Sequence, residues 1–334
     1  MSSPSRVLVF GCALALMVGL SGCSAGVSAP TTATAVAASG ESSAAGTAPV
    51  KALLVYQWTG PSGKDSVTLA ASDGSAPRAM LPEGVTQGFH PDWSHDGSKV
   101  VFADQATGLW VMAPDGSGAT RVHDCVNCDH PAWSPDGASI LFTQYADGGG
   151  PPRASSLTVL DLKSGILRTV VEESSPRLAD VPRWSPDGKQ IVYGIDRFDA
   201  SGAETGSAIA IVAASGGQPR VLTDYKDYAY YPDWSPDGAT IVFDVETVQF
   251  ASKKPDWADT WDLWTITPGG SHAHRLTRVG RGVHLWQPSW APDGTAIYAT
   301  QGFTSGRHGV RVALDGAIGP ELTEATHVRL QPTG

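Results

Sequence analysis

One heptapeptide, Pro-x-Trp-(Ser/Ala)-x-Asp-Gly, occurs five times in the sequence and constrains the fold more than any other feature. Its Trp recurs every 40 to 56 residues. Repeats of this length are typical of architectures that use one supersecondary unit per repeat. The copies are Pro91–Gly97, Pro131–Gly137, Pro182–Gly188, Pro232–Gly238 and Pro288–Gly294.

Each copy predicts a tight turn between two strands. Asp-Gly ends the motif at a point where a left-handed residue is needed to re-enter a strand, and an apolar strand such as Ile241–Phe243 follows. Further along, a third strand such as Leu109–Met112 leads through a second Gly turn into a fourth. Four antiparallel strands per repeat are the blade of a β-propeller. The 38 Gly and 24 Pro agree with an all-β chain rich in turns.

The repeat resembles the TolB-type propeller repeat, a relative of the WD repeat, over nearly all of residues 51–330. Five complete units leave Lys51–Leu81 as three strands that lack a first one. His327–Leu330 aligns with the opening of the motif, so we expect it to supply that strand. The prediction is a six-bladed propeller, closed where the C-terminal strand joins the N-terminal blade.

The N-terminal sequence predicts an export signal followed by a tether. Residues 1–22 have a short basic start and an apolar stretch at Val7–Leu20, which is too short for an ordinary spanning helix. Leu20–Cys23 resembles the lipobox of bacterial lipoproteins, which implies lipidation at Cys23 and a location on the outer face of the cytoplasmic membrane. The alternative is an ordinary signal peptide. Residues 23–50, rich in Ala, Ser and Thr, predict a flexible tether, and the propeller occupies 51–334.

The residue before each repeated Pro is expected at the mouth of the central channel. These positions, which we call the mouth residues, are His90, His130, Val181, Tyr231 and Gln287, with His327 in the same register. His90, His130 and His327 should converge near Gln287, where they could hold a divalent metal. This resembles the propeller-fold oligogalacturonate lyases, which hold a metal with central histidines. Polar residues without a metal are the alternative, and then no cofactor is expected.

A Cys-x-x-Cys pair lies between the first two motif copies. Cys125 and Cys128, with nearby histidines, could chelate zinc, but all the ligands would then come from eight residues, His123–His130. In an exported protein, oxidation is the usual fate of paired cysteines, so we favour a disulfide.

Long, dissimilar loops are predicted on one face, among them Tyr145–Ser155, Asp196–Ser207 and Val245–Thr260. Variable loops on a rigid scaffold commonly carry binding sites. Aromatic and basic residues on this face suit a glycan or a protein surface, although the rings could simply cap the propeller. The predicted binding residues are Tyr228, Tyr231, Trp257, Trp261, Arg281, His284 and Trp286.

Charge and motifs exclude several functions. The formal net charge is -10 and no basic run is present, which argues against a nucleic-acid partner. No phosphate loop, dinucleotide fingerprint or hydrolase nucleophile elbow has a suitable context.

Two hypotheses remain. One is a monomeric, noncatalytic binding or scaffold protein of the cell envelope that engages a protein or glycan, as the TolB resemblance implies. The other is a metal-dependent lyase or hydrolase of anionic polysaccharides. In the second, His90, His130 and His327 are the ligands, and Arg281 or Lys254 steers the carboxylates.

Overall fold

Strands make up nearly all of the regular structure in the part of the chain that the computed structural model describes. The described residues are 52–61, 63–146, 154–174, 176–247, 260–280, 282–303 and 306–332. Within them the one helical element is a 3-10 turn at Tyr225–Asp227. No helix in these ranges is long and apolar enough to cross a membrane. Cys23, the signal segment and the tether lie outside the described residues.

The strands form four sheets of four strands and one of eight. The N-terminal sheet contains β1 (Leu53–Thr59), β2 (Asp65–Ala71) and β3 (Arg78–Met80). Three further sheets follow in chain order. The second sheet contains β4 (Phe89–Trp93), β5 (Val100–Asp104), β6 (Gly108–Met112) and β7 (Thr120–Asp124), and the third contains β8 (Cys128–Trp133), β9 (Ser139–Tyr145), β10 (Ala154–Asp161) and β11 (Leu167–Ser174). The fourth contains β12 (Arg177–Trp184), β13 (Gln190–Phe198), β14 (Glu204–Ala213) and β15 (Arg220–Val221). The large sheet contains β16 (Ala229–Trp234), β17 (Ile241–Thr247), β18 (Thr260–Ile266), β19 (His274–Arg275), β20 (His284–Trp290), β21 (Ala296–Phe303), β22 (Gly306–Ala313) and β23 (Ile318–Glu324).

The last strand, β24 (Thr326–Leu330), belongs to the N-terminal sheet. It lies antiparallel to β1, with Leu54 opposite Leu330 and Val55 opposite Arg329. The predicted all-β propeller of antiparallel four-stranded blades is confirmed at this level. The eight-stranded sheet differs from a simple series of blades, because one parallel pair, Trp261 and His284, connects β18 to β20.

The apolar core lies between successive sheets. Trp93 is buried together with Val100 and Phe102 of its own sheet and with Val55 and Val67 of the preceding one. The next cluster repeats this arrangement, with Trp133 packed among residues of β5, β6, β8 and β9. The repeated Trp therefore fills the space between blades, and its large apolar area contributes to holding them together.

The motif turn is held by a side-chain network that spacing alone did not reveal. Ser235 Oγ donates to Asp237 Oδ1 at 2.6 Å and accepts from the backbone N of Thr240 at 2.9 Å. The copies that begin at Pro91, Pro131 and Pro182 make the same two bonds. Ala291 replaces Ser in the fifth copy and cannot form them. Gly238 closes the turn with φ at 70°, the left-handed conformation that glycine adopts most readily.

One predicted loop is wrong. Most of Asp196–Ser207 is strand, because β13 and β14 continue their ladder through the pairs Arg197–Gly206 and Asp196–Ser207. Only 199–203 connects the two strands. The central parts of the other two predicted loops, 147–153 and 248–259, lie outside the described residues.

Candidate functional site

The mouth residues share an unusual backbone conformation. In each of them φ is positive, between 48° and 56°, although none is glycine. In β4, β8, β12, β16 and β20 the strand register shifts at this point, which is where a β-bulge turns one residue out of the ladder. Positive φ is uncommon for such residues and is concentrated at functional positions. The set is His90, His130, Val181, Tyr231, Gln287 and His327.

Three of these residues come together as a histidine cluster, formed by His90, His130 and His327. The rings of His90 and His130 are stacked with centroids 3.8 Å apart, and His327 meets His90 edge-on at 4.0 Å. One nitrogen from each ring can be chosen so that all three lie within 4.8 Å of one another.

Two carboxylates, that of the buried Asp129 and that of the half-buried Asp180, orient the cluster. The Asp129 carboxylate binds His90 Nδ1 and also accepts from the backbone N of His130 at 2.9 Å. Asp180 Oδ1 lies 3.1 Å from His130 Nδ1. A carboxylate beside one ring nitrogen fixes the orientation of the imidazole and leaves the other nitrogen for a metal.

Sequence reasoning missed both carboxylates. Asp129 and Asp180 immediately precede the mouth residues of their strands, but each contacts a histidine of the preceding blade. Thr143 Oγ1 donates to Asp180 at 3.0 Å, and Gln105 Nε2 donates to Asp129 at 2.7 Å. The sequence signal is an Asp immediately before a mouth residue. Its partner could not be identified from the sequence, because that partner is a histidine on the preceding blade.

Several cluster nitrogens are buried without a hydrogen-bond partner. They include Nδ1 and Nε2 of His327 and Nε2 of His130. A buried polar atom without a hydrogen bond costs about 1–3 kcal/mol of stability. Such atoms are therefore commonly satisfied by a water molecule or an ion that is not part of the protein chain. Three imidazole nitrogens are a donor set that Zn²⁺ and other divalent transition metals accept. The residues present therefore fit a divalent cation.

Burial and charge set the protonation of the cluster. Burial lowers the pKa of His90, and burial together with the neighbouring histidines lowers the pKa of His327 well below its usual value. Both rings are therefore neutral near pH 7, the form that binds metals. Burial alone would lower the pKa of His130, but Asp180 and Asp129 outweigh it and the pKa is raised.

The remaining mouth residues surround the cluster. Gln287 Oε1 accepts from Thr300 Oγ1 at 3.0 Å and from the backbone N of His327 at 3.2 Å, so this carbonyl already has two donors. The Tyr231 ring lies 5.7 Å from His327, which places Tyr231 beside the cluster and not on a loop. Val181 is buried and apolar.

A layer of charged side chains lies two residues beyond the mouth, at Asp92, Arg183, Asp233 and Arg329. Arg329 reaches Asp92 at 3.4 Å and Asp233 at 3.2 Å, so these side chains converge from different inner strands. Arg183 is buried and has no carboxylate within ion-pair distance among the described residues. Burial and the nearby Arg329 lower its pKa to about 10.

An aromatic row, formed by Tyr230, Trp261, His284 and Trp286, lies on the same side as the mouth. The Tyr230 and Trp261 rings are stacked at 5.3 Å, and the following ring pairs are 6.4 and 5.6 Å apart. Tyr230 lies on β16, Trp261 on β18, and His284 and Trp286 on β20. The last three were predicted on the loop face and are strand residues instead. Gly302 gives Trp286 room, because a Cβ there would be 2.2 Å from the indole.

The other predicted site residues have separate locations. Tyr228 ends the 3-10 turn with φ at 49° and is half-buried. Cys125 and Cys128 form a disulfide at the entrance of β8. Trp257, Lys254 and Arg281 lie outside the described residues.

Comparisons with solved structures place the chain among β-propellers. TolB from Acinetobacter baumannii aligns at 17% identity and a TM-score of 0.64, over 84% of this chain and 67% of that one. A putative TolB from Agrobacterium tumefaciens aligns at 20% identity and a TM-score of 0.52, over 72% of this chain and 87% of that one. An oligogalacturonate lyase in complex with manganese aligns at 14% identity and a TM-score of 0.56, over 80% and 73%.

At these identities the likeness establishes the fold. No family profile matches the sequence, and no curated protein matches it. The chain therefore has the architecture shared by TolB and other propeller proteins, and its function has to be argued from its own residues.

Proposed function

We propose that this protein is a binding protein of the cell envelope that holds a divalent cation at the histidine cluster and engages a glycan or protein on the surrounding face. The observation that carries the proposal is the set of unpartnered imidazole nitrogens on His130 and His327, beside His90. A cation would satisfy these atoms, and the aromatic row beside it would supply flat apolar surface for a ligand.

The charges around the mouth support a divalent cation. Four carboxylates, those of Asp92, Asp129, Asp180 and Asp233, lie near the cluster. Two guanidinium groups, those of Arg183 and Arg329, oppose them. In the metal-bound form, with all three histidines neutral, these groups leave two negative charges, which a divalent cation would balance. In the metal-free cluster the raised pKa of His130 lets its ring carry one positive charge, so one negative charge stays unbalanced in a buried setting, which is costly.

We further propose that the blades form a closed ring of six. The eight-stranded sheet would count as two blades, since its halves meet at a single parallel pair. The sixth blade would be β24 with β1, β2 and β3. Six mouth residues with nearly equal φ, one on each inner strand, support this count.

We also propose the location and attachment. Lipidation at Cys23 would anchor the protein to the outer face of the cytoplasmic membrane, and the tether at 23–50 would let a monomeric propeller reach its partner. The sequence before residue 24 supports this part. Globomycin sensitivity and mass spectrometry of the mature N-terminus test it, and an unmodified Cys23 would rule out the anchor.

Metal analysis tests the cation. We expect the protein, purified from the envelope without chelators, to hold close to one divalent ion per chain and to lose it in His327→Ala. His95→Ala is the matched control, because His95 is exposed on a motif turn. Equal metal content in wild type and His327→Ala would refute the site.

Photocrosslinking tests the binding face. A photoreactive residue at Trp286 should capture a specific glycan or protein in intact envelopes, and the same residue at the exposed Ile166 should not. Identical products from both positions would contradict binding at the aromatic row.

A metal-dependent polysaccharide lyase or hydrolase is the second candidate. The histidine cluster favours it, as does the fold shared with an oligogalacturonate lyase whose structure contains manganese. When bound, the metal would polarise a substrate carboxylate or carbonyl oxygen. The chain would contribute His90, His130 and His327 as ligands, with Asp129 and Asp180 holding two rings in place.

Product analysis separates the two candidates. Unsaturated uronide products absorb short-wavelength ultraviolet light, so a lyase acting on pectic or other uronic-acid polymers with Mn²⁺ present would raise the absorbance there. Reducing-end assays would detect hydrolysis. Binding without turnover across such polymers supports the binding protein. Turnover that His327→Ala abolishes would instead establish the enzyme.

A further inference from the structure

The Cys125–Cys128 disulfide lies directly beside the histidine cluster in sequence. It closes a loop at the entrance of β8, and Cys128 is followed at once by Asp129 and His130. His130 belongs to the cluster, and Asp129 orients His90. The loop therefore precedes two of the groups on which the cluster depends.

Hydrogen bonds tie the disulfide loop to the same carboxylate. Asn127 has φ at 60°, and its backbone N donates to the carbonyl of Gln105 at 2.9 Å. The Gln105 side chain donates to Asp129 at 2.7 Å, so one residue holds both the loop and the orienting carboxylate. The carbonyl of Asn127 accepts from the backbone N of Tyr145 at 3.1 Å.

We propose that the Cys125–Cys128 disulfide is a redox site that sets the cation affinity of the histidine cluster. The inference rests on the proposed cation site. With the disulfide closed, the loop fixes Asp129 and the start of β8, and through them His90 and His130. Reduction removes this cross-link, so Asp129 and His130 lose part of their positional restraint.

The loop is placed for attack by a reductant. Val126, between the two cysteines, is 62% exposed, Cys125 is half-buried, and Cys128 is fully buried. A dithiol reductant would attack Cys125 Sγ as a thiolate, breaking the S–S bond and releasing the Cys128 thiolate. Its second thiol would then displace Cys125. The reductant leaves as a disulfide, and the protein gains two electrons and two protons as two thiols.

After reduction, His123 and the two free thiols would form a second set of possible metal ligands. A ring nitrogen of His123 and the sulfur atoms of Cys125 and Cys128 lie within 4.8 Å of one another. Free thiols beside this imidazole can bind soft cations, which would draw the loop away from its oxidised geometry. Loss of outer-shell support typically weakens a metal site by about 10- to 100-fold, which is the range expected on reduction.

Manganese titration of the full chain tests the inference. Mn²⁺ is the probe because thiolates favour softer ions, and free Mn²⁺ is measured by electron paramagnetic resonance. The oxidised protein should bind Mn²⁺ in a manner that depends on His327. Reduction with a phosphine should weaken binding by about 10-fold or more, and reoxidation should restore it. Cys125→Ser/Cys128→Ser should match the reduced protein, and Val126→Ala should match the oxidised wild type.

A second readout needs no metal. On reduction, the ¹⁵N imidazole resonances of His90 and His130 should shift in the metal-free protein, while those of exposed His95 should not. Unchanged resonances with equal Mn²⁺ affinity in both redox states would overturn the redox site and leave the cation site standing. Absence of His327-dependent binding to the oxidised protein would refute the cation site itself, and the inference with it.

Discussion

The Ser of the motif turn offers a quantitative test, since one copy naturally lacks it. Ser235→Ala removes a hydrogen bond to the Asp237 carboxylate at 2.6 Å and one from the backbone N of Thr240 at 2.9 Å. A bond to a charged group contributes about 1.5–3 kcal/mol and a neutral one about 0.5–1.5 kcal/mol. Asp237 is exposed and regains water, so we expect a net loss of about 1–2 kcal/mol.

The fifth copy provides the reverse experiment. Ala291→Ser introduces the missing hydroxyl beside Asp293, and we expect a gain of up to about 1 kcal/mol. Urea unfolding followed by tryptophan fluorescence, with the slope compared between variants, measures both changes. Ser235→Ala within about 0.3 kcal/mol of wild type, together with no gain from Ala291→Ser, would refute the assigned role of the turn.

Three further predictions concern the closing strand, the aromatic row and acid stability. Val328→Ala should lower the free energy of unfolding in urea by about 1.5–3 kcal/mol, because Val328 on β24 is buried. Val221→Ala, at an exposed edge, should lower it by less than about 0.5 kcal/mol. Equal effects of the two substitutions would contradict the packing of β24. Gly302→Ala should displace Trp286 and change its fluorescence, because the new Cβ would lie 2.2 Å from the indole. Gly280→Ala is the control and should leave the fluorescence unchanged, because a Cβ there has open space. Unchanged emission in Gly302→Ala would contradict the contact. Hydrogen bonds from the motif Ser and the following backbone lower the pKa of Asp96 and of Asp187 to about 2, so the stability that they contribute is present above about pH 4 and is lost as the pH falls towards 2. Carboxyl resonances titrating near pH 4 in the folded protein would contradict this assignment.

The propeller could be predicted because its information is local and repeated. Each motif copy carries its own turn, and the strand after it has the period of a sheet, so register follows from alignment. The same alignment placed His327 with the other mouth residues, and the structure gives all of them one backbone conformation. The pairing of β24 with β1 followed from counting strands.

The rest of the site could not be predicted because it depends on contacts between blades. Asp129 orients His90, and Asp180 lies beside His130, in each case a histidine of the preceding blade. Polar composition also misled the loop prediction at Asp196–Ser207, since Gly and Ser there are compatible with a continued strand once the partner ladder exists. Tyr231 and Trp286 were predicted on the loop face, but the inner strands β16 and β20 begin earlier than the motif spacing indicates and include both residues.

The most direct test is anomalous diffraction from crystals of the oxidised protein grown with Zn²⁺. We expect one strong peak at the mouth, about 2.0–2.1 Å from a nitrogen of each of His90, His130 and His327. The peak should be absent in His327→Ala crystals of the same form. No peak at the mouth, or one that persists without His327, would contradict the central claim.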